Sequence, residues 1–344
     1  MKKQILILGG LGFIGFHLSK IISENKNNIL TIVDDSSRGQ LDHDAKKLIQ
    51  KKNVYFKKIN LSKKENFKKL KKNFDHVYLL ASVVGVNNTL TNPNRVIEIN
   101  TSIILNTLKW LNSKKIKKFM FTSTSEAYAG TIDYFNYKIP TNENVPLTIT
   151  DVAHPRYTYA ITKLLGESAF LNLSKKNKTK VLVVRFHNIF GERMGFKHVI
   201  PHLIERFYKK EKPFVIYGGK QTRAFCYISD AIDQMLGLMN RKNNNFKIYN
   251  IGNDHEITIE KLVKLVGKKF DYKNSYLKKK SFPGSTKRRC PDISRIKKEL
   301  KYTPKIKLEN GLEKTIKWYL NIFKKNKIFF EKSFQKPSDF KNVR

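Results

Sequence analysis

The sequence predicts an α/β protein, a doubly wound parallel sheet with helices on both faces and a smaller mixed α/β lobe beside it. Three observations carry that expectation. Short apolar runs alternate with stretches of helical period through residues 1–186. The first run ends in a glycine cluster at 9–15 that opens straight into a helical pattern. Beyond Arg185 the alternation weakens, and short runs between turn residues take over.

The elements come in order along the chain. Residues 3–8 end in the unbroken apolar run 5–8, which suits a parallel strand buried on both faces. A helix is expected over 13–24, strands over 29–33, 54–59 and 77–80, and helical patterns over 63–72 and 94–111. Strands at 119–122 and 181–185 flank a helix at 158–173, and such an alternation builds a parallel sheet. Later come a helix at 198–208, a short strand at 214–216 and, at 247–251, a strand returning to the sheet. The expected organisation is a sheet domain over 1–186 with its return strand at about 247–252, a lobe over 187–246 and 253–320, and a basic C-terminal extension over 321–344.

The formal charge of +40 calls for an explanation. Lysines are spread along the chain at 63–72, 114–118, 278–280 and 324–327, and Asn, Ile, Phe and Tyr are also frequent. That pattern reads as compositional drift rather than a nucleic-acid surface, and no nucleic-acid motif accompanies it, so no nucleic-acid partner is expected. The positive field would still favour an anionic small molecule. No apolar run reaches membrane-span length and no signal peptide is visible, so no membrane partner is expected. Cys226 and Cys290 alone exclude a disulfide framework, and a cytoplasmic location is the expectation. Scattered histidines and two distant cysteines predict no metal site.

The glycine cluster carries specific chemistry. In Gly9-Gly10-Leu11-Gly12-Phe13-Ile14-Gly15, Gly9 allows a tight turn, Gly12 lets the backbone approach a pyrophosphate, and Gly15 lets the helix pack on the strand. The helix N-terminus then faces the phosphates of a dinucleotide in a Rossmann arrangement. Asp34, ending the second strand, is placed to bind ribose hydroxyls and to repel a 2′-phosphate, which favours NAD over NADP. Arg38 is the contrary signal, because a nearby arginine can accept that phosphate.

Tyr159 and Lys163 are four residues apart, hence on one face of a helix. A free tyrosine titrates near ~10, too high for a base at neutral pH. A nearby ammonium and the nicotinamide charge would stabilise its phenolate, which could then take a proton from a sugar hydroxyl. Thr124, just past a strand's carboxyl end, could hold the same hydroxyl.

At these residues the chain resembles an extended short-chain dehydrogenase/reductase of the nucleotide-sugar epimerase/dehydratase/decarboxylase group. The resembling segments are GGLGFIG (9–15), LLASVVGV (79–86), FTSTSEAYAG (121–130), YAITK (159–163), RFHNIFGERMG (185–195), GGKQTRAFCYISD (218–230) and RRCPDISRIKKEL (288–300), within a match over about 3–320. The resemblance implies Thr124, Tyr159 and Lys163 as a catalytic trio, with Lys163 also on the nicotinamide ribose. It implies cofactor contacts from Gly9, Gly12, Phe13, Ile14, Gly15, Asp34, Leu80, Ala81, Ser82 and Asn100. Asn60-Leu61 stands near the adenine, where Asp-Leu is usual in the family. Leu79 replaces a common histidine and Ala129 a common glycine. Ser125, Asn188, Arg223 and Arg289 are implied substrate contacts, the last three on a diphosphate that an arginine fork suits.

The resemblance further implies oxidation of a sugar hydroxyl, usually at C4, by tightly held NAD. Glu126 bears on the fate of the resulting ketone. A 4-epimerase needs no acid there, a 4,6-dehydratase needs a base and an acid, and a decarboxylase needs a proton donor near C5. The reading places epimerase or dehydratase chemistry, as a group, ahead of UDP-glucuronate-type decarboxylation. A net C4 dehydrogenase/reductase is a further alternative. A non-enzymatic NAD- or RNA-binding protein is opposed by the intact Thr/Tyr/Lys set. A homodimer is expected through Ile97, Ile104, Leu105 and Leu108 with Leu164, Leu165 and Leu171.

Overall fold

A computed structural model describes residues 2–39, 41–70, 73–176, 178–281 and 285–325. The first half of the chain runs β1 (Lys3–Leu8), α1 (Phe13–Glu24), β2 (Asn28–Asp34), α2 (His43–Ile49), β3 (Val54–Lys58), β4 (Asn73–Leu79), α3 (Val86–Thr91), α4 (Pro93–Asn112), β5 (Lys115–Thr124), α5 (Ala129–Phe135), α6 (Tyr157–Lys176) and β6 (Lys180–Phe186). The strand Ile248–Ile251 joins these six in a seven-stranded sheet, in the order Ile248–Ile251, β6, β5, β4, β1, β2, β3. Every pairing is parallel.

Alternate residues of each strand feed two separate cores, as a sheet covered on both faces requires. Ile5, Ile7, Ile32, Met120 and Val184 pack on one face with α1 and the helix Ile228–Asn240. Leu6, Leu8, Val33, Phe121 and Val183 pack on the other, against Ile103, Trp110 and Leu111 of α4 and Phe170 of α6. The chain winds outward from β1 to β3, then crosses back to β4 beside β1. That reversal leaves a crevice at the carboxyl ends of β1 and β4, where ligands bind in open α/β sheets.

The lobe is made of small pieces. Thr222–Ala224 is the middle strand between Glu256–Thr258 and Arg288–Arg289, and the register sets Arg289 beside Arg223. The last described helix, Leu308–Lys325, packs on the same core through Leu312, Ile316 and Tyr319.

Several local expectations are corrected. The helical pattern at 63–72 is a 3-10 helix over Lys64–Lys69, with Lys71 and Lys72 outside the described residues. Its one buried side chain, Phe67, gives no stripe for an α-helix to bury. The structure adds helices that the sequence did not announce, among them α2, capped by Asp42 accepting from the Ala45 N–H, and Ile228–Asn240. Ile104, expected on a surface between helices, is core at 3% exposure, because its side of α4 faces the sheet.

Candidate active site

The glycine turn is dictated by contact. Gly9 has φ +89°, and a Cβ there would stand 2.5 Å from the Ala81 nitrogen. A Cβ on Gly15 would stand 2.1 Å from the Gly9 carbonyl oxygen, so the helix can approach the turn only as glycine. α1 then starts at Phe13 with no side-chain cap and no acidic residue in its first turn. Its free N–H groups and positive end are left for an anion.

Asp34 is 8% exposed at the end of β2. Its carboxylate accepts from the Leu11 N–H at 3.0 Å and the Ser36 N–H at 2.9 Å. Burial pushes its pKa up, against the pull of those amides. Asp34 therefore also pins the glycine turn, a role not read from the sequence. Arg38, the contrary signal in the sequence, engages other groups in the structure. It reaches across to His198 Nε2 at 3.5 Å, and its charge acts on the phenols of Tyr159 and Tyr319.

The other residues expected to contact the cofactor follow the carboxyl ends of β4 and β3 or lie on α4. Leu80 and Ala81 donate their N–H groups to the Leu8 carbonyl at 2.8 and 2.9 Å, closing β4 against β1. Asn100 is 2% exposed and fully engaged. Its Oδ1 accepts from Ser82 Oγ and the Val83 N–H, and its Nδ2 donates to the Val83 carbonyl and Thr162 Oγ1. It thereby ties the segment after β4 to α6. Asn60 accepts from Ser62 in a turn beyond β3, and Leu61 is buried.

Thr124 ends β5 and Tyr159 lies in the first turn of α6. Thr124 Oγ1 accepts from the Glu126 N–H at 3.2 Å, and the same hydroxyl interacts with the Tyr159 phenol. Burial raises the Tyr159 pKa, while Arg38 and the Thr124 bond oppose that rise. Lys163 is 4% exposed, with Nζ 5.6 Å from the Tyr159 ring centroid and donating to the Thr122 carbonyl at 2.8 Å. Burial brings its pKa down to about 7, with Glu167 opposing. The structure thus unites Thr124, Tyr159 and Lys163, and the charge of Arg38 also acts on the Tyr159 phenol.

Glu126 lies in the 3-10 turn Ser125–Tyr128, beside buried Ser125. Its Oε1 accepts from Arg289 Nη1 at 2.5 Å and its Oε2 from Arg156 Nη2 at 3.3 Å. Burial alone would raise this carboxyl, yet the two guanidiniums outweigh it and hold the pKa at about 2. Arg156 and Arg289 also both donate to Thr286 Oγ1. Asn188, at φ +43°, donates to the Ala224 carbonyl at 3.0 Å. Arg223 donates to the Thr222 and Thr286 carbonyls. Behind Arg156 a cavity of about 600 Å³ opens, walled also by Tyr137, His154 and Lys287.

Known proteins of similar sequence and structure identify the family. Residues 5–252 match the model of the NAD dependent epimerase/dehydratase family. The chain belongs to that family. It is 30% identical over 332 residues to the UDP-N-acetyl-alpha-D-glucosaminuronate decarboxylase of Bacillus cytotoxicus, covering 94% of this chain and 99% of the relative. A putative UDP-glucose 4-epimerase of Methanocaldococcus jannaschii is 27% identical, covering 92% and 99%. Among solved structures, a UDP-glucose 4-epimerase from Thermotoga maritima with UDP-glucose superimposes with a TM-score of 0.81 at 26% identity, covering 93% of this chain and 99% of that one.

As a member of the NAD dependent epimerase/dehydratase family, the chain is an enzyme that works with NAD. The uncapped, acid-free start of α1 and the contact-forced glycine turn fit that cofactor. Arg156 and Thr286 were missed in the sequence. A signal for Arg156 existed, since it stands three residues before Tyr159 and so shares its side of the helix start. Thr286 had none. Among the described residues no His, Cys, Asp and Glu side chains gather as a metal site, and no helix is long and apolar enough to cross a membrane.

Proposed function

We propose that the enzyme oxidises a UDP-hexuronate at C4 and decarboxylates it. The observation that carries this reading is the pair of guanidiniums, Arg156 and Arg289, closed on one carboxylate, Glu126, whose N–H donates to Thr124. Two cations facing one anion leave a positive site, and planar forks are built for carboxylates. A neutral hexose would leave that charge unused. Epimerase or dehydratase chemistry, as a group the leading expectation from sequence, shares the oxidation step, but epimerisation needs no such pair. The 30% identity to a uronate decarboxylase supports the same preference.

Held at the glycine turn and Asp34, NAD would supply the acceptor and later the donor of the C4 hydride. Thr124 holds the C4 hydroxyl and Tyr159 receives its proton, with Arg38 and Lys163 supplying positive charge around the phenolate. The resulting C4 ketone is β to the carboxylate, so loss of CO2 leaves the electron pair at C5 delocalised into the ketone. Arg156 and Arg289 orient the departing carboxylate. Once a substrate carboxylate displaces it, half-buried Glu126 loses the guanidiniums that depress its pKa and can carry the proton that C5 needs. Asn188 and Arg223 serve the diphosphate end, whereas Arg289, expected there from the sequence, is paired with Glu126 and is assigned to the carboxylate instead. We further infer a homodimer through the exposed faces of α4 and α6, and a cytoplasmic enzyme.

The test is incubation with UDP-glucuronate, UDP-N-acetylglucosaminuronate and UDP-glucose at catalytic NAD, with CO2 and product read by NMR. CO2 release with a UDP-pentose product is expected from a uronate. C4 epimers without CO2 would overturn decarboxylation and install the epimerase reading.

A further inference from the structure

Thr286 stands at the centre of the arginine cluster, 2% exposed. Its Oγ1 accepts from Arg156 Nη2 at 2.8 Å and from Arg289 Nη2 at 3.0 Å. Its carbonyl accepts from Arg223 Nη2 at 2.8 Å. A threonine hydroxyl offers two acceptor lone pairs and one proton. Both lone pairs face guanidiniums here, so the proton is left for a third partner. Two charged donors also polarise the hydroxyl toward giving that proton to an anion.

The two guanidiniums come from separate parts of the fold. Arg156 precedes α6, and Arg289 lies on the lobe strand Arg288–Arg289. Glu126 and Thr286 each touch both. When an incoming carboxylate displaces Glu126, Thr286 still joins the pair. We propose that Thr286 determines specificity for anionic sugars: it fixes Arg156 and Arg289 as one anion-binding face and donates its own proton to the bound carboxylate. This rests on the UDP-hexuronate reading above.

The experiment uses the NAD-loaded enzyme carrying Tyr159→Phe, so that sugars bind without turnover, and measures dissociation constants for UDP-glucuronate and UDP-glucose by calorimetry. The parent should prefer the uronate by about tenfold or more, the scale of one charge-assisted contact. Adding Thr286→Val, which keeps the shape and removes the hydroxyl, should cut that preference about fivefold or more with UDP-glucose binding unchanged. Thr286→Ser should restore it. Thr286→Ala, equally without the hydroxyl, replaces valine if valine weakens UDP-glucose binding as well. A preference that survives loss of the hydroxyl, or that serine fails to restore, overturns the role of Thr286 and leaves the function standing. A parent with no preference for the uronate overturns both.

Discussion

Glu126 Oε1 and Arg289 Nη1 meet at 2.5 Å, joining the end of β5 to a strand of the lobe. The contact clips the two parts of the molecule together with the same charges that the proposed substrate would engage. Binding a carboxylate there exchanges one anion for another, so the arginines are never left buried and unpaired. The Glu126 carboxylate already occupies the position that an anion of the same shape would take.

That pairing makes a pH-dependent contribution to stability. The Glu126 carboxyl titrates at about 2 in the fold, against an ordinary value of 4.5. A depressed carboxyl stabilises the fold fully above its unfolded pKa, and the contribution fades as pH falls from 4.5 through 2. Wild type should therefore exceed Glu126→Gln in melting temperature at pH 6, with the gap closing steadily below pH ~4.5. A gap constant from pH 6 to about pH 3 would mean that the pair is not ionised as described.

Tyr159→Phe should abolish turnover by a factor of at least ~10³ while leaving NAD bound. The phenol oxygen is the atom that Thr124 engages, and its removal leaves the ring and the glycine turn untouched. Single-turnover reduction of bound NAD, read by its near-ultraviolet absorbance, separates chemistry from binding. Unchanged turnover would remove Tyr159 from its assigned role.

The parts of the site that sequence made legible are those in which chemistry and local structure share a short segment. The glycine turn, Asp34 at the end of a strand, and Tyr159 with Lys163 on one helix face are all of this kind. The arginine cluster is not. Arg156 lies 30 residues from Glu126, Arg289 lies 163 away, and Thr286 lies 130 from Arg156. Only the lobe's docking on the sheet makes them neighbours. The fold shows the same division. The helix Ile228–Asn240 starts directly after the strand Cys226–Tyr227, with no turn residue between them, so its apolar run reads equally well as strand. α2 buries only Ala45 and Leu48, too little periodicity to stand out.

Beneath the site, Arg185 Nη2 and Glu167 Oε2 pair at 2.7 Å with both side chains buried. Ser123 Oγ donates to the same carboxylate, and Arg185 also donates to the Tyr128 hydroxyl. This network braces β5, β6 and α6 under Thr124. Glu167→Gln should cost about 3–5 kcal/mol in urea unfolding, because it leaves a buried guanidinium unpaired. The double change Arg185→Met with Glu167→Leu should cost markedly less. Equal losses for single and double variants would show that packing, not charge, sets the cost.

The last prediction concerns the faces of α4 and α6 that the monomer leaves bare. Ile97 and Leu105 on α4 are each 41% exposed, and Leu165 on α6 is 40% exposed. α4 and α6 pack side by side on one face of the sheet, so these side chains can be covered together by a second copy. A twofold pairing would bring four helices into one bundle and bury the three residues at its centre. Leu105→Glu should convert a dimer to a monomer in sedimentation velocity, with little loss of monomer stability because the residue already faces solvent. Ile104→Glu should instead unfold the protein, since that side chain is core at 3% exposure. A wild type that sediments as a monomer at all concentrations would sink the pairing and leave the exposed leucines unexplained.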